Sequence, residues 1–211
     1  AATELRCRLR RTSPSAWWMR VEASTVLPIA AALVACCVML KVSRRLFVGS
    51  ASKRVHFLRH GQAMHNPRAE KERSAGCSFD EFLRLMKEDD VFDAPLTALG
   101  REQATTACTR AGSRLDGVEL VVASPLSRAL DTAKLVIPTA TSRGPFVAND
   151  DLRERSGWML NAKRRPRSEQ AVRYADCDFS ELQSESDELW DSLGDELETP
   201  EHVAERAFRV L

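Results

Sequence analysis

The stretch VELVVASPLSRALDTAKLVI, residues 118–137, predicts a strand that leads directly into a helix. Residues 118–123 are mostly apolar and rich in valine, as expected for a strand buried on both faces. Ser124 is of the type favoured at a helix N-cap, and Pro125 suits the first helical position. A buried strand followed at once by a helix is typical of α/β proteins with a parallel sheet.

The same alternation continues on both sides of this stretch. Residues 55–58 and 144–149 are further strand candidates, so the body of the chain reads strand, helix, strand, helix, strand. We therefore predict an α/β fold, with a mainly parallel sheet flanked by helices. Residues 156–198 are rich in Ser, Asp and Glu and predict a partly helical surface excursion.

Helix starts are marked by local capping signals. Ser78 and Glu81 form a capping box, and an apolar helical face follows them. Thr97 marks the start of another helix, and Thr199 followed by Pro200 marks the last one.

Polar residues follow all three predicted strands. Arg59 and His60 follow the first strand, Arg128 follows the second, and Glu154 follows the third. In open α/β sheets, ligands bind beyond the carboxyl ends of the strands. Arg128 is predicted to lie in the first turn of a helix, where the positive end of the helix dipole makes a cation unfavourable. A bound anion would neutralise this charge.

The composition argues against a metal centre and a nucleic-acid interface. The six cysteines include no CxxC pair, and the spacing of His56, His60 and His65 matches no familiar metal motif. Residues 55–211 carry 21 basic and 28 acidic side chains, whereas non-specific nucleic-acid binding needs a basic surface. We predict no metal, no cofactor and no nucleic-acid partner.

Four ordered motifs carry a resemblance to a known family. They are RHGQAMHN (59–66), DAPLTALGREQA (93–104), VVASPLSRALDTA (121–133) and LRE (152–154). Together they resemble the histidine phosphatase superfamily, also called phosphoglycerate mutase-like proteins, over residues 55–211. The form RHGQ…HN is most similar to the plant and fungal branch of phosphoglycerate mutase-like proteins.

The resemblance implies a role for each matching residue. His60 would be the nucleophile that accepts a phosphoryl group, and Glu154 would be the acid that protonates the leaving oxygen. Arg59, Asn66 and Arg128 would bind the phosphoryl oxygens. The expected function is hydrolysis of a small phosphorylated substrate through a phosphohistidine intermediate, without a cofactor. The sequence predicts neither the physiological substrate nor the oligomeric state.

Two departures from the family pattern qualify this function. Members of the superfamily carry a second catalytic histidine in a late HG motif, which this sequence lacks, and His202 is no substitute for it. The chain starts at Ala1 and stops at Leu211 inside a predicted helix, so we expect a fragment that lacks its final strand or strands and has impaired activity. The alternative is a non-catalytic, membrane-associated protein that binds phosphate. A glycolytic mutase is disfavoured, because the Tyr-Gly stretch of those enzymes does not follow Glu154.

The first 54 residues form a basic leader. Ten Lys and Arg residues against two acidic ones give it a net charge of +8, whereas the remainder of the chain carries −7. Residues 26–40 are uninterruptedly apolar, and Lys41 and Arg44 follow at once, which argues against a cleaved signal peptide. Since a membrane span needs about 20 residues, we predict a transmembrane or targeting helix over about residues 23–42.

The location of the protein follows from how this leader is interpreted. A single-pass anchor would leave the catalytic domain on the cytoplasmic side if Met19 is the true start, because basic residues then lie mainly after the apolar run. The alternative is a soluble protein targeted to an organelle, since residues 1–20 are rich in Arg and poor in acidic residues.

Overall fold

A computed structural model of the protein describes residues 10–13, 16–18, 37–40, 54–88, 91–137 and 144–210. The strands are β1 (Arg10–Ser13), β2 (Ala16–Trp18), β3 (Cys37–Leu40), β4 (His56–Arg59), β5 (Val121–Ala123) and β6 (Phe146–Ala148). The α-helices are α1 (Asn66–Ser74), α2 (Phe79–Lys87), α3 (Ala98–Ala111), α4 (Ser127–Val136), α5 (Arg167–Arg173), α6 (Glu188–Leu193) and α7 (Pro200–Val210).

The main sheet has the strand order β4-β3-β5-β6. β5 and β6 are parallel neighbours, and β3 is antiparallel to both β4 and β5. The three strands predicted for the body therefore run in one direction, and their carboxyl ends lie at the same edge of the sheet. The predicted α/β class is confirmed, but the sheet is less parallel than predicted because β3 lies between β4 and β5.

β3 lies in the leader, where a hydrophobic helix was predicted, so this part of the prediction is wrong. Its residues fall within the range 23–42, yet their backbone is extended and pairs with two strands of the sheet. A short apolar run fits a buried strand as well as a helix, and periodicity alone does not separate the two. The rest of the predicted helix lies outside the described residues, and localisation stays a prediction. No helix in the described ranges combines the length and apolar character of a membrane span.

The hydrophobic core lies between this sheet and the helices α3 and α4. Leu58, Val121 and Ala123 are buried on the strands, and Leu130 and Val136 are buried on α4. The small residues of α3 allow it to pack closely, with Ala104 buried at 2% exposure.

The excursion over residues 156–198 contains α5 and α6, as the composition predicts, and it is organised around a buried arginine. The Arg164 guanidinium donates hydrogen bonds to the backbone carbonyls of Ser184, Glu185 and Ser186 and pairs with Asp150 at 3.2 Å. The excursion is thus fixed to the segment that follows β6.

Three of the four predicted helix caps are confirmed. The side chains of Ser78, Thr97 and Thr199 accept hydrogen bonds from the backbone nitrogens three residues further along. Ser124 is the exception, because α4 begins three residues later, at Ser127. The Ser124 hydroxyl accepts only a long bond of 3.4 Å from the nitrogen of Leu126.

The loop that carries His60 packs directly on the first turn of α3. A Cβ atom added to Gly61 would lie 2.3 Å from the Gly100 carbonyl oxygen, and one added to Gly100 would lie 2.0 Å from the Gln62 oxygen. The nitrogen of Thr97 also donates to that Gln62 oxygen at 2.9 Å. The two backbones meet so closely that neither glycine leaves room for a side chain.

Replacing Gly100 by alanine should therefore destabilise the protein. We expect Gly100→Ala to lower the free energy of unfolding by about 1–3 kcal/mol, because the new methyl group overlaps backbone that has to move. Urea denaturation measures this loss. Thr109→Ala, on the exposed face of the same helix, is the control and should change stability by less than about 0.5 kcal/mol. Equal stabilities for the two variants would contradict the close contact.

Candidate active site

The three strand ends bring His60, Arg128 and Glu154 into contact. His60 directly follows β4, Arg128 is the second residue of α4 after β5, and Glu154 follows a 3₁₀ turn (Asp150–Leu152) after β6. Arg128 Nε and Nη2 donate to Glu154 Oε1 at 3.1 and 2.5 Å. His60 Nε2 lies 3.5 Å from the same oxygen. A single carboxylate oxygen thus faces both a guanidinium and an imidazole.

The orientation of the His60 ring defines its tautomer. Its Nδ1 lies 2.6 Å from the carbonyl oxygen of Gly61. A carbonyl oxygen only accepts hydrogen bonds, so Nδ1 carries a proton. In the neutral ring, Nε2 then keeps its lone pair, which is the form required of a nucleophile.

Arg128 and Glu154 form an ion pair. The Arg128 side chain is fully buried, and its Nη1 donates to the carbonyl oxygen of Asn161 at 2.6 Å. Burial raises the pKa of Glu154, but the charge and hydrogen bonds of Arg128 act in the opposite direction, and the pKa lies well below its usual value. Glu154 is therefore ionised in the described structure.

The other two predicted phosphate ligands, Arg59 and Asn66, lie on the same loop. Arg59 ends β4 with an exposed side chain. Asn66 begins α1, where its Oδ1 accepts from the nitrogen of Ala63 at 2.8 Å and its Nδ2 donates to His65 at 3.2 Å. The Asn66 amide thus fixes the turn that follows His60.

Sequence reasoning assigned little importance to His65, yet the structure buries it beside the site. Only 6% of the residue is exposed, and its Nε2 accepts the hydrogen bond from Asn66. Burial, together with the charge of Arg128, lowers the pKa of His65 to about 3. This imidazole is therefore neutral at physiological pH. Its place in the sequence, directly before Asn66, gave no signal of this burial.

Asp93 was also missed as a site residue. It is fully buried, its carboxylate accepts from the backbone nitrogen of Ser127 at 2.8 Å, and it also accepts from the Ser127 hydroxyl. Arg165 lies 3.2 Å away. Asp93 thus caps the N-terminus of α4, where Ser124 was predicted to do so, and it fixes the turn from which Arg128 projects.

The chain is similar to proteins of a known superfamily. A sequence model of the histidine phosphatase superfamily (branch 1) matches residues 86–211, more than half of the chain. The chain belongs to the histidine phosphatase superfamily. The matched residues include Arg128 and Glu154, whereas the His60 loop precedes them. The predicted resemblance is therefore confirmed at the level of the superfamily.

Curated relatives of this superfamily member occur in Arabidopsis thaliana. A phosphoglycerate mutase-like protein is 31% identical over 65% of this chain and 58% of its own length. Phosphoglycerate mutase-like protein 1 is 30% identical over 75% of this chain and 62% of its own length. The chain thus spans about three fifths of the length of these two relatives. No solved structure gives a significant match.

The neutral His65 should make stability depend on pH. The pKa of His65 is about 3 in the folded protein, against an ordinary value of 6.5. The unfolded chain therefore binds more protons between these values, and the contribution of His65 to stability is complete above pH 6.5 and is lost as pH falls toward 3.

Urea denaturation from pH 7 to pH 4 tests this dependence against His65→Gln, which cannot titrate. Below pH ~5.5 the wild-type free energy of unfolding should fall relative to that of the variant by about 1.4 kcal/mol per pH unit. Parallel curves for the two proteins would show that His65 is not held neutral.

Proposed function

We propose that this histidine phosphatase superfamily member hydrolyses phosphomonoesters through a phosphohistidine at His60. The observation that carries the proposal is the position of His60 Nε2, which lies 3.5 Å from the carboxylate that Arg128 binds. Membership of the superfamily supports phosphatase or mutase chemistry. A small phosphorylated compound is the proposed class of substrate.

In the first step, His60 Nε2 would attack phosphorus while the bond from phosphorus to the ester oxygen breaks. Glu154, once protonated, would give its proton to that oxygen, so that an alcohol leaves. Arg128 and Arg59 would bind the phosphoryl oxygens, because guanidinium groups suit paired contacts to phosphate. The Nδ1 proton stays on the ring, where the Gly61 carbonyl stabilises the positive charge that the phosphorylated imidazole gains.

In the second step, water would attack the phosphorus of phospho-His60. The Glu154 carboxylate would take a proton from that water, and the nitrogen–phosphorus bond would break to release inorganic phosphate. His60 would return to its neutral form and Glu154 to its protonated form. The net reaction consumes one water for each ester, and no redox step or metal is needed to balance it.

Removing His60 should abolish turnover. We expect His60→Ala to lower the rate of hydrolysis of an aryl phosphate by the 211-residue chain by about three orders of magnitude or more, because the nucleophile is lost. His202→Gln is the matched control, because His202 lies on α7 and pairs with Glu198 at 2.9 Å. Release of the aryl alcohol measures the rate.

The result also separates the other candidate functions. Equal rates for His60→Ala and wild type would overturn the mechanism. Phosphate binding without turnover would favour the non-catalytic binding protein, and transfer of the phosphoryl group within phosphoglycerate instead of to water would favour a mutase.

A further inference from the structure

Glu154 takes up the donors of Arg128 that would otherwise be offered to a phosphoryl group. Nε and Nη2 point side by side from one edge of a guanidinium, and this pair commonly binds carboxylate or phosphate. Here both nitrogens donate to Glu154 Oε1, and Nη1 is engaged by the Asn161 carbonyl. The Arg128 side chain has no exposed surface. A substrate can therefore use the Nε–Nη2 edge only if Glu154 moves away.

The same oxygen also lies in front of the nucleophile. His60 Nε2 is buried without a hydrogen-bond partner among the described residues, and Glu154 Oε1 is 3.5 Å from it. Reacting atoms in a productive complex are separated by about 3–3.5 Å. The Glu154 carboxylate thus stands where the proposed mechanism needs a phosphoryl group.

We infer that Glu154 is an internal anion that fills the phosphoryl position of the resting site and is displaced when a phosphomonoester binds. The inference rests on the proposed function, since it assigns a second role to the proposed acid. Displacement is an exchange of ion pairs in which no covalent bond changes. The buried guanidinium keeps an anionic partner throughout, so it is never left uncompensated.

The exchange also resolves a conflict within the site. An acid must carry a proton, yet the contact with Arg128 keeps Glu154 ionised. Displacement removes the cation and places the carboxylate beside a dianion, and both changes favour protonation. On substrate binding, Glu154 would therefore take up one proton from solvent and become the acid that the leaving oxygen needs.

Two substitutions at Glu154 test the inference with inorganic phosphate as the probe. Glu154→Gln removes the competing charge, and Glu154→Asp keeps the charge on a side chain too short to reach both Arg128 and His60. Isothermal titration calorimetry on the 211-residue chain, at pH 7 and fixed salt, gives the phosphate affinity. Glu102→Gln removes one exposed charge on α3 and is the matched control.

We expect both Glu154 variants to bind phosphate about tenfold more tightly than wild type, or more, which corresponds to about 1.4 kcal/mol. Glu102→Gln should bind within about twofold of wild type, because exposed charges are screened. Thermal unfolding of each variant establishes that it is folded.

Each of the other possible results of the phosphate titration overturns one specific claim. Wild type and Glu154→Gln binding equally well would overturn the internal anion and leave the phosphate site intact. Tighter binding by Glu154→Gln but not by Glu154→Asp would show simple charge repulsion and would also overturn it. Absence of phosphate binding in all four proteins would instead overturn the proposed function.

Discussion

Burial of the Arg128 guanidinium is the constraint to which the rest of the site conforms. A fully buried cation is stable only if it is paired and its hydrogen-bond donors are used. The partners come from two later segments, because Glu154 supplies the carboxylate and Asn161 supplies a carbonyl oxygen. Folding α4 against the sheet therefore requires the chain after β6 to return over it. This requirement also brings Glu154 to His60.

Arg128 lies where a cation is otherwise unfavourable, in the first turn of α4. Two carboxylates offset this position in different ways. Asp93 binds the first backbone nitrogen of the helix, and although burial raises its pKa, the hydrogen bonds from Ser127 and the charges of Arg128 and Arg165 act in the opposite direction. Glu154 binds the guanidinium itself. Asp93 thus holds the helix end in place, while Glu154 is the partner that a substrate could replace.

Structural features that depend on residues close together in the sequence were predicted, whereas features that depend on distant residues were missed. The caps at Ser78, Thr97 and Thr199 were predictable, because each capping side chain and the backbone N–H that donates to it lie three residues apart. Asp93 was not, since it caps a helix 34 residues further along. The ordered motifs predicted His60, Arg128 and Glu154 as site residues, but the ion pair between Arg128 and Glu154 is visible only in three dimensions. The leader misled for a related reason, because strand β3 is defined by its partners in the sheet.

The protonation of the His60 ring tests the central claim most directly. Nitrogen-15 NMR of the phosphate-free protein at pH 8, with His60 assigned by comparison with His60→Ala, reports which ring nitrogen carries the proton. The hydrogen bond to Gly61 predicts a proton on Nδ1 and a lone pair on Nε2, directed at the position that Glu154 occupies. A proton on Nε2 would make His60 a donor to Glu154 instead of a nucleophile, and it would contradict the account.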